Sequence, residues 1–159
     1  MTAPAMDRDA LAALLDSDFG PLARDFRVER ADARGVRLRL CVRPHHLRPG
    51  GTVSGPAMFA LVDVALYLAI LCRAGSGAAR ALTVNCSIDF LRAPEASRDL
   101  LAEARLLRLG RNLAVGDVLV TSEGCADAVA RAGLTYALPQ AAERTASPLP
   151  GTHATGTRR

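Results

Sequence analysis

One acidic residue, Asp63, interrupts an otherwise apolar stretch of the chain, residues 57–72. If this stretch is helical, the positions three and four residues away on either side are Phe59, Ala60, Leu66 and Tyr67. Burial of an unpaired carboxylate is costly, so the group must find partners or take up a proton. Asp63 is therefore a candidate general base or nucleophile. The alternative is a structural aspartate that caps backbone groups or pairs with an arginine.

The start of the same stretch offers a second chemical group. Ser54 can cap the helix, Gly55 allows close approach of the backbone, and Pro56 suits the first helical turn. Free N–H groups at a helix N-terminus carry partial positive charge and can hold an anion or polarise a carbonyl. The alternative role for Gly55 is a tight turn that only starts the helix.

Gly55 and Asp63 lie too far apart to meet within one helix. Eight residues separate them, which is about 12 Å at ~1.5 Å of rise per residue. A site that uses both groups requires one of them to come from a second chain. The spacing therefore favours a homodimer.

Composition limits the possible classes of protein. The chain has 159 residues, of which 50% are apolar, enough for one domain with its own core. Aromatic residues make up 4% and tryptophan is absent, which argues against a stacking platform for nucleic acid. All 20 basic residues are arginines spread along the chain, with a net charge of +4. This spread is typical of arginines on a solvated surface, or of arginines that meet a phosphorylated small molecule. It argues against nucleic acid as a partner.

Cysteine and histidine spacing predicts neither a disulfide framework nor a metal site. The four cysteines are widely separated, and Cys72 and Cys86 fall in apolar runs typical of small core residues. His45 and His46 are adjacent but have no third ligand nearby in sequence. The N-terminus does not resemble a signal peptide, and the apolar run is shorter than a membrane span. We expect a cytoplasmic protein with reduced thiols and no membrane partner.

Apolar periodicity predicts an α+β domain. We expect a short N-terminal helix over 7–15, strands over 26–31 and 36–42, a Pro/Gly/His-rich loop over 43–54, and a long apolar helix over 55–73. Four more strands are predicted over 81–91, 99–109, 113–122 and 125–138. A helix that is apolar nearly all round must be buried, here by an antiparallel sheet. We divide the chain into a lead-in (1–24), the main domain (25–138) and a disordered tail (139–159).

Three segments together resemble a known family. The first is Gly51-x-x-Ser54-Gly55-Pro56, followed in the helix by Leu-x-Asp-x-Ala; the others are residues 83–94 (TVNCSIDFLRAP) and the turn at 110–112 (GRN). In order and spacing they are similar to hotdog-fold acyl-CoA thioesterases of the phenylacetate-type (PaaI-like) group, over about residues 30–138. The resemblance implies an α+β hotdog fold with the sheet wrapped around the helix. It also implies a homodimer with active sites at the subunit interface. Assembly of two dimers into a homotetramer is a separate expectation.

The resemblance also implies roles for individual residues. Asp63 matches the catalytic carboxylate, Gly55 the glycine whose N–H polarises the thioester carbonyl, and Thr83 a residue that orients the attacking water. Arg111 and Asn112 match the turn between two long strands, where arginine can bind coenzyme A phosphates. The substrate implied is an acyl-CoA, with no cofactor.

The chain departs from the family pattern before the helix. Where the family has Asn-x-x-Gly-x-x-His-Gly-Gly, this chain has Arg48 for Asn, Ser54 for His and Pro56 for the last Gly. We include these three as candidate substrate-binding residues, and His45 or His46 as possible replacements for the imidazole. The departures motivate an alternative function, a hotdog protein that binds acyl-CoA or a related ligand without hydrolysis. A hotdog dehydratase that uses one of the two histidines ranks third.

Overall fold

A computed structural model of the chain describes residues 3–140. Two α-helices and eight β-strands form the domain, in the order α1 (Arg8–Asp18), β1 (Phe26–Asp32), β2 (Gly35–Leu40), β3 (Leu47–Arg48), β4 (Thr52–Val53), α2 (Gly55–Ala74), β5 (Leu82–Phe90), β6 (Leu100–Leu109), β7 (Leu113–Ser122) and β8 (Ala128–Ala137). Short 3₁₀ turns lie at Gly20–Asp25, Pro44–His46 and Ser76–Ala78.

Six strands form one antiparallel sheet in the order β1-β2-β6-β7-β8-β5. Strands β3 and β4 form a separate two-stranded hairpin. Strand β5 follows α2 in sequence yet occupies the far edge of the sheet, beside β8. The sheet therefore carries the start of β5 to the C-terminal end of β8, which places two distant parts of the sequence side by side.

Helix α2 lies in the core because the residues between its two ends are almost all apolar, and capping residues define both ends. The Ser54 hydroxyl caps the N-terminus by accepting from the Ala57 N–H at 3.3 Å, and proline occupies the first turn. At the other end, Gly75 has a φ of 79° and its N–H reaches the Leu71 carbonyl at 2.8 Å. Most of the apolar side chains between these caps are buried against the sheet, chiefly against β2, β6 and β7. The arrangement is the hotdog fold, as the sequence predicts.

The predicted elements agree with the structure apart from their ends and one hairpin. Helix α1 ends three residues later than predicted. At its start, the Asp7 side chain caps the helix by accepting from the Ala10 N–H. The segment predicted as loop 43–54 contains a 3₁₀ turn and the β3–β4 hairpin, elements too short to produce a periodic signal. The last strand begins at Ala128, three residues later than predicted, because a turn intervenes. From residue 141 the predicted disordered tail lies outside the described residues.

By length and composition alone, α2 would suffice to cross a membrane. The apolar run read from the sequence is shorter than the helix itself, which has 20 residues. Most of this helix is buried within the described domain, as the core helix of a globular fold is. The apolarity of α2 is thus accounted for by the sheet that surrounds it.

Strand β7 packs closely against α2 at Gly116. A Cβ atom built there would collide with the Leu66 side chain of α2 and would lie 2.6 Å from the Arg105 carbonyl oxygen of β6. The neighbouring strand β8 carries Gly133, where a Cβ atom would meet no other atom within 4 Å. The glycine in β7 is therefore needed for packing, whereas the one in β8 has space for a side chain.

We expect Gly116→Ala to destabilise the fold by about 1–3 kcal/mol, because the added methyl group overpacks the contact between helix and sheet. Gly133→Ala is the matched control, a strand glycine replaced in the neighbouring strand without a clash, and its stability should change little. Urea denaturation of both variants measures the two effects. Equal stability of the two variants would contradict the proposed contact.

Candidate active site

Two hydroxyl groups converge on the carboxylate of Asp63. The Thr83 hydroxyl donates to Asp63 Oδ1 at 2.7 Å, and the Tyr136 hydroxyl lies 2.6 Å from the same oxygen. The Tyr136 hydroxyl also lies 2.8 Å from the backbone carbonyl oxygen of Asp63. Among the described residues, no hydrogen bond is made to Oδ2. One carboxylate oxygen is held by the fold, and the other is left for a further partner.

Sheet register brings these two hydroxyl groups together. Thr83 of β5 is the direct cross-strand partner of Tyr136 of β8. A β-bulge follows immediately in β5, where the pairing shifts between Thr83 and Asn85. Side chains alternate between the faces of a strand, and a bulge changes that alternation locally. The Thr83–Tyr136 pair therefore faces α2 at the level of Asp63.

A cleft of about 390 Å³ opens beside Asp63. Aromatic rings form part of its wall: Phe19 and Tyr67 have ring centroids 5.7 Å apart, and Tyr67 and Tyr136 have centroids 6.4 Å apart. The Tyr67 hydroxyl donates to the Ala79 carbonyl at 2.8 Å and makes no bond to Asp63. The cleft thus combines two carboxylates, Asp63 and Asp18, with apolar and aromatic side chains.

The N-terminus of α2 opens into a different cleft, also of about 390 Å³. Gly55, Arg48 and residues of the 90–94 segment line it. The Phe90 ring occupies the space beside Gly55, where a Cβ atom would lie 3.3 Å from its Cζ atom. No backbone acceptor within the described residues takes the Gly55 N–H, and the Ser54 hydroxyl is engaged as helix cap.

The structure separates the predicted site residues into three groups. Asp63 and Thr83 share one cleft, whereas Gly55 and Arg48 share the other, beside Ser54 and Pro56, and the two clefts have no lining residue in common. The turn between β6 and β7 holds the remaining pair, Arg111 and Asn112, of which Asn112 accepts the Leu138 N–H through its carbonyl at 2.8 Å. That turn lines neither cleft.

The two histidines do not reach either cleft, which corrects the hypothesis that one of them replaces the imidazole of the family. Both rings bond Asp25 Oδ2, from His45 Nε2 at 2.8 Å and from His46 Nε2 at 3.1 Å. The His46 Nδ1 atom accepts the backbone N–H of Arg43 at 2.9 Å. The same reasoning makes them unsuitable for the dehydratase hypothesis, since neither His45 nor His46 lines the cleft at Asp63 or the cleft at Gly55.

These three residues, Asp25, His45 and His46, are also close enough together to suggest a metal site. The bond from the Arg43 N–H fixes Nδ1 of His46 as an acceptor, so the proton of the neutral ring is on Nε2. A protonated Nε2 cannot ligate a metal, and it donates to Asp25 instead. The arrangement therefore fits a structural hydrogen-bond cluster that anchors the approach to α2.

Burial shifts the pKa of titratable groups near Asp63 and in the cluster of Asp25, His45 and His46. Burial raises the pKa of the Tyr136 phenol, and the bond to Asp63 raises it further, so the hydroxyl keeps its proton. Burial, with the nearby charge of Asp63, also raises the pKa of the Cys86 thiol. In the histidine cluster, burial lowers the pKa of His46. Burial alone would raise the pKa of Asp25, but hydrogen bonds from both histidines outweigh it and lower the pKa.

Tyr136 is the contact of Asp63 that the sequence analysis missed. Its side chain is 2% exposed, and a buried tyrosine hydroxyl usually finds a hydrogen-bond partner. The chain has two tyrosines in all, and alternation along the last strand assigns Tyr136 to the same face as the buried Leu134. A search for acceptors for this hydroxyl on the central helix could have found Asp63.

Comparison with known proteins identifies the family. A model of the thioesterase superfamily matches residues 50–129 of the chain, which include Gly55, Asp63 and Thr83. A structure from a Silicibacter species, determined as a candidate thioesterase, is 48% identical, with a TM-score of 0.77 over 84% of this chain and 92% of that one. The chain belongs to the thioesterase superfamily.

Two PaaI structures are similar in fold to this superfamily member. PaaI from Thermus thermophilus is 29% identical, with a TM-score of 0.66 over 77% of this chain and 100% of that one. PaaI from the phenylacetic acid degradation operon of E. coli is 23% identical, with a TM-score of 0.70 over 80% of this chain and 88% of that one, a likeness of fold. No curated protein matches the chain in sequence. Membership in the superfamily supports thioester hydrolysis as the general activity of this hotdog protein.

We expect acidification to destabilise this superfamily member through the histidine cluster. Because the pKa of His46 lies below 6.5 in the fold, the unfolded chain takes up its proton first, and stability falls as the pH drops below that value. The depressed pKa of Asp25 acts in the same direction, below about 3.8. The thermal unfolding midpoint should drop between about pH 7.5 and about pH 5.5, and less in His46→Gln. An equal drop in both proteins would contradict the assignment to His46.

Proposed function

We propose that the protein hydrolyses acyl-CoA thioesters at a site that two subunits share, with Asp63 as general base or nucleophile. The observation that carries this proposal is the carboxylate itself, held through Oδ1 by Thr83 and Tyr136 with Oδ2 available. A carboxylate fixed in this way on an apolar helix is typical of a functional group rather than of a packing residue. Superfamily membership supports the thioester as the bond that is broken.

The reaction balances with the groups that the proposal names. In the general-base form, Asp63 takes a proton from water while the water oxygen bonds to the thioester carbonyl carbon. The negative charge that develops on the carbonyl oxygen is stabilised by the Gly55 N–H at the start of α2. The carbon–sulfur bond then breaks, and the coenzyme A thiolate leaves with the proton that Asp63 took from water, which restores the carboxylate. In the nucleophilic form, Asp63 attacks the carbonyl carbon and forms an anhydride as the carbon–sulfur bond breaks and the thiolate leaves; water then hydrolyses the anhydride to the free acid and the Asp63 carboxylate, and the proton released goes to the thiolate.

The free edge of the sheet supports a dimer. Strand β5 has β8 on one side and no partner among the described residues on the other. Its side chains include Leu82, 70% exposed, and Val84, 58% exposed, and the Phe90 ring at its end is half exposed. An exposed apolar edge strand invites pairing with another chain, and we propose a second copy of this protein in that position. Further pairing of dimers into a tetramer remains a prediction.

Substrate contacts follow from the same arrangement. We propose that Arg48, in the Gly55 cleft beside Ser54 and Pro56, meets the coenzyme A portion near the thioester. Arg111 and Asn112, on the β6–β7 turn, are proposed as contacts for its phosphates from outside the cleft. We propose a cytoplasmic location, because thioesters of coenzyme A are intracellular metabolites. No cofactor is assigned.

The replacement Asp63→Asn tests the catalytic assignment. It keeps the shape of the side chain but removes the proton acceptor, so kcat on the best acyl-CoA should fall by ~10²–10⁴-fold. Thiol release from short-, medium-, long-chain and aryl acyl-CoAs measures the loss, with a blank for the four cysteines of the protein. Undiminished turnover in Asp63→Asn would rule out the assignment. Stabilisation of the wild type by acyl-CoA without thiol release would favour the alternative, a binding protein.

Two replacements of Gly55 separate the role of its N–H from that of its small size. Gly55→Pro removes the N–H, whereas Gly55→Ala keeps it, and both add a Cβ atom next to Phe90. Loss of a single oxyanion donor costs about 10²–10³-fold in kcat, so the proline variant should be slower than the alanine variant by that factor. Thermal unfolding of both variants controls for strain. Equal kcat values would remove the N–H from the mechanism.

Mixing inactive variants tests whether the site is shared. In a heterodimer of Asp63→Asn and Gly55→Pro, a shared geometry puts both defects in one site and leaves the other intact. Random exchange of subunits should then restore about a quarter of wild-type activity, because half of the dimers carry one intact site of two. If each site lay within one subunit, every site would keep one defect and no activity would return.

A further inference from the structure

The two hydroxyl groups that contact Asp63, those of Thr83 and Tyr136, lie on different strands and differ in burial. Tyr136 lies on β8, an internal strand with neighbours on both sides, and its side chain is buried. Thr83 lies on β5, the edge strand, and is exposed. A buried aromatic ring on an internal strand has little freedom. The domain by itself therefore fixes the position of the phenol, whereas the surroundings of Thr83 also depend on what covers the β5 edge.

The proton of the Tyr136 hydroxyl has two possible acceptors. The oxygen lies 2.6 Å from Asp63 Oδ1 and 2.8 Å from the Asp63 backbone carbonyl oxygen. A hydroxyl group has one proton to donate, and a carboxylate oxygen is a stronger acceptor than an amide carbonyl. The proton is therefore directed to Oδ1. Contact with both the backbone and the side chain of Asp63 also fixes the orientation of the carboxylate relative to the helix.

No cation assists this carboxylate from within the described chain. The titratable groups that face it come from four elements: Asp18 at the end of α1, Tyr67 on α2, Cys86 on β5 and Tyr136 on β8. No arginine lines this cleft among the described residues. The two hydroxyl donors are thus the described protein groups that stabilise the charge on Asp63. Removal of one should change how readily the carboxylate takes up a proton.

We infer that Tyr136 is a positioning residue for the reaction, one that holds Asp63 through Oδ1 in its charged form and presents Oδ2 to the thioester or to water. This inference rests on the proposed function, since it assigns the way in which Asp63 is held rather than the reaction it performs. It is separate from the roles assigned to Thr83 and Gly55, because Tyr136 acts from β8 and makes its contact through the carboxylate.

The chain provides a matched pair of variants. Tyr136→Phe and Tyr67→Phe each remove one hydroxyl oxygen from a tyrosine in the same cleft, but only the first removes a bond to Asp63. In Tyr136→Phe, we expect the acidic limb of the pH profile of kcat to move to higher pH by roughly half to one pH unit. We also expect kcat to fall by about ten- to a hundred-fold, since the carboxylate is less well oriented, with a smaller change in KM. Tyr67→Phe should leave the acidic limb where it is, whatever its rate.

A second readout needs no turnover. The Asp63 carboxyl carbon, labelled with ¹³C and assigned by its loss in Asp63→Asn, can be titrated by NMR in the wild type and both phenylalanine variants. Its titration midpoint should rise in Tyr136→Phe and stay unchanged in Tyr67→Phe. An unchanged midpoint in folded Tyr136→Phe would overturn the inference. Failure of the wild type to hydrolyse any thioester would instead overturn the proposed function, and the NMR titration would still report on Tyr136.

A chemical variant covers the case in which Tyr136→Phe does not fold. The chain has two tyrosines, so 3-fluorotyrosine incorporated in the Tyr67→Phe background labels Tyr136 alone. Fluorination makes the phenol more acidic and a stronger donor, which should lower the Asp63 titration midpoint relative to unlabelled Tyr67→Phe. A midpoint that does not move on fluorination would contradict the assigned hydrogen bond and its role.

Discussion

One half-buried carboxylate, placed in the face of an apolar helix, constrains the rest of this structure. Helix α2 is apolar enough to be enclosed, and the sheet that encloses it must still satisfy Asp63. It does so with hydroxyl groups from its two last strands in spatial order, β8 and β5. Neutral donors hold a carboxylate without cancelling its charge, whereas a nearby arginine would offset that charge. The fold thus leaves Asp63 both anchored and chemically available.

The two ends of the proposed reaction lie on one helix but not in one cleft. Gly55 opens at the N-terminus of α2 and Asp63 lies eight residues further along, in a cleft with different walls. A rigid helix keeps these groups at a constant separation of about 12 Å. A second subunit paired through the β5 edge would allow the Gly55 end of one helix to approach the Asp63 cleft of the other. Dimerisation would then complete the site rather than only stabilise the fold.

Two of the residues that depart from the family pattern, Ser54 and Pro56, have structural roles at the start of α2. Ser54, in place of the family histidine, caps α2, and Pro56 fits the first turn of that helix. The two histidines that do occur nearby bond Asp25, and the His46 carbonyl accepts the Ser54 N–H at 2.8 Å. The segment before α2 is therefore held by a cluster of His45, His46 and Asp25 that lies outside both clefts. The residues of this loop support the helix, and the Gly55 N–H has no backbone acceptor within residues 3–140.

The sequence by itself determined the elements of this protein and the residues at the two ends of its helix. Apolar periodicity, the caps around α2 and the lone Asp63 are local properties, so they predicted an α+β domain with a buried helix and the candidates Gly55 and Asp63. The resemblance of three segments to a known family added the hotdog fold and Thr83. Only the tertiary structure decided that Tyr136 contacts Asp63, that Arg111 and Asn112 lie outside both clefts, and that the histidines belong to Asp25. These facts depend on strand order and register. Pairing of β5 with β8 joins Thr83 to Tyr136, more than fifty positions apart in sequence, and no local pattern encodes which hydroxyl the register brings to the carboxylate.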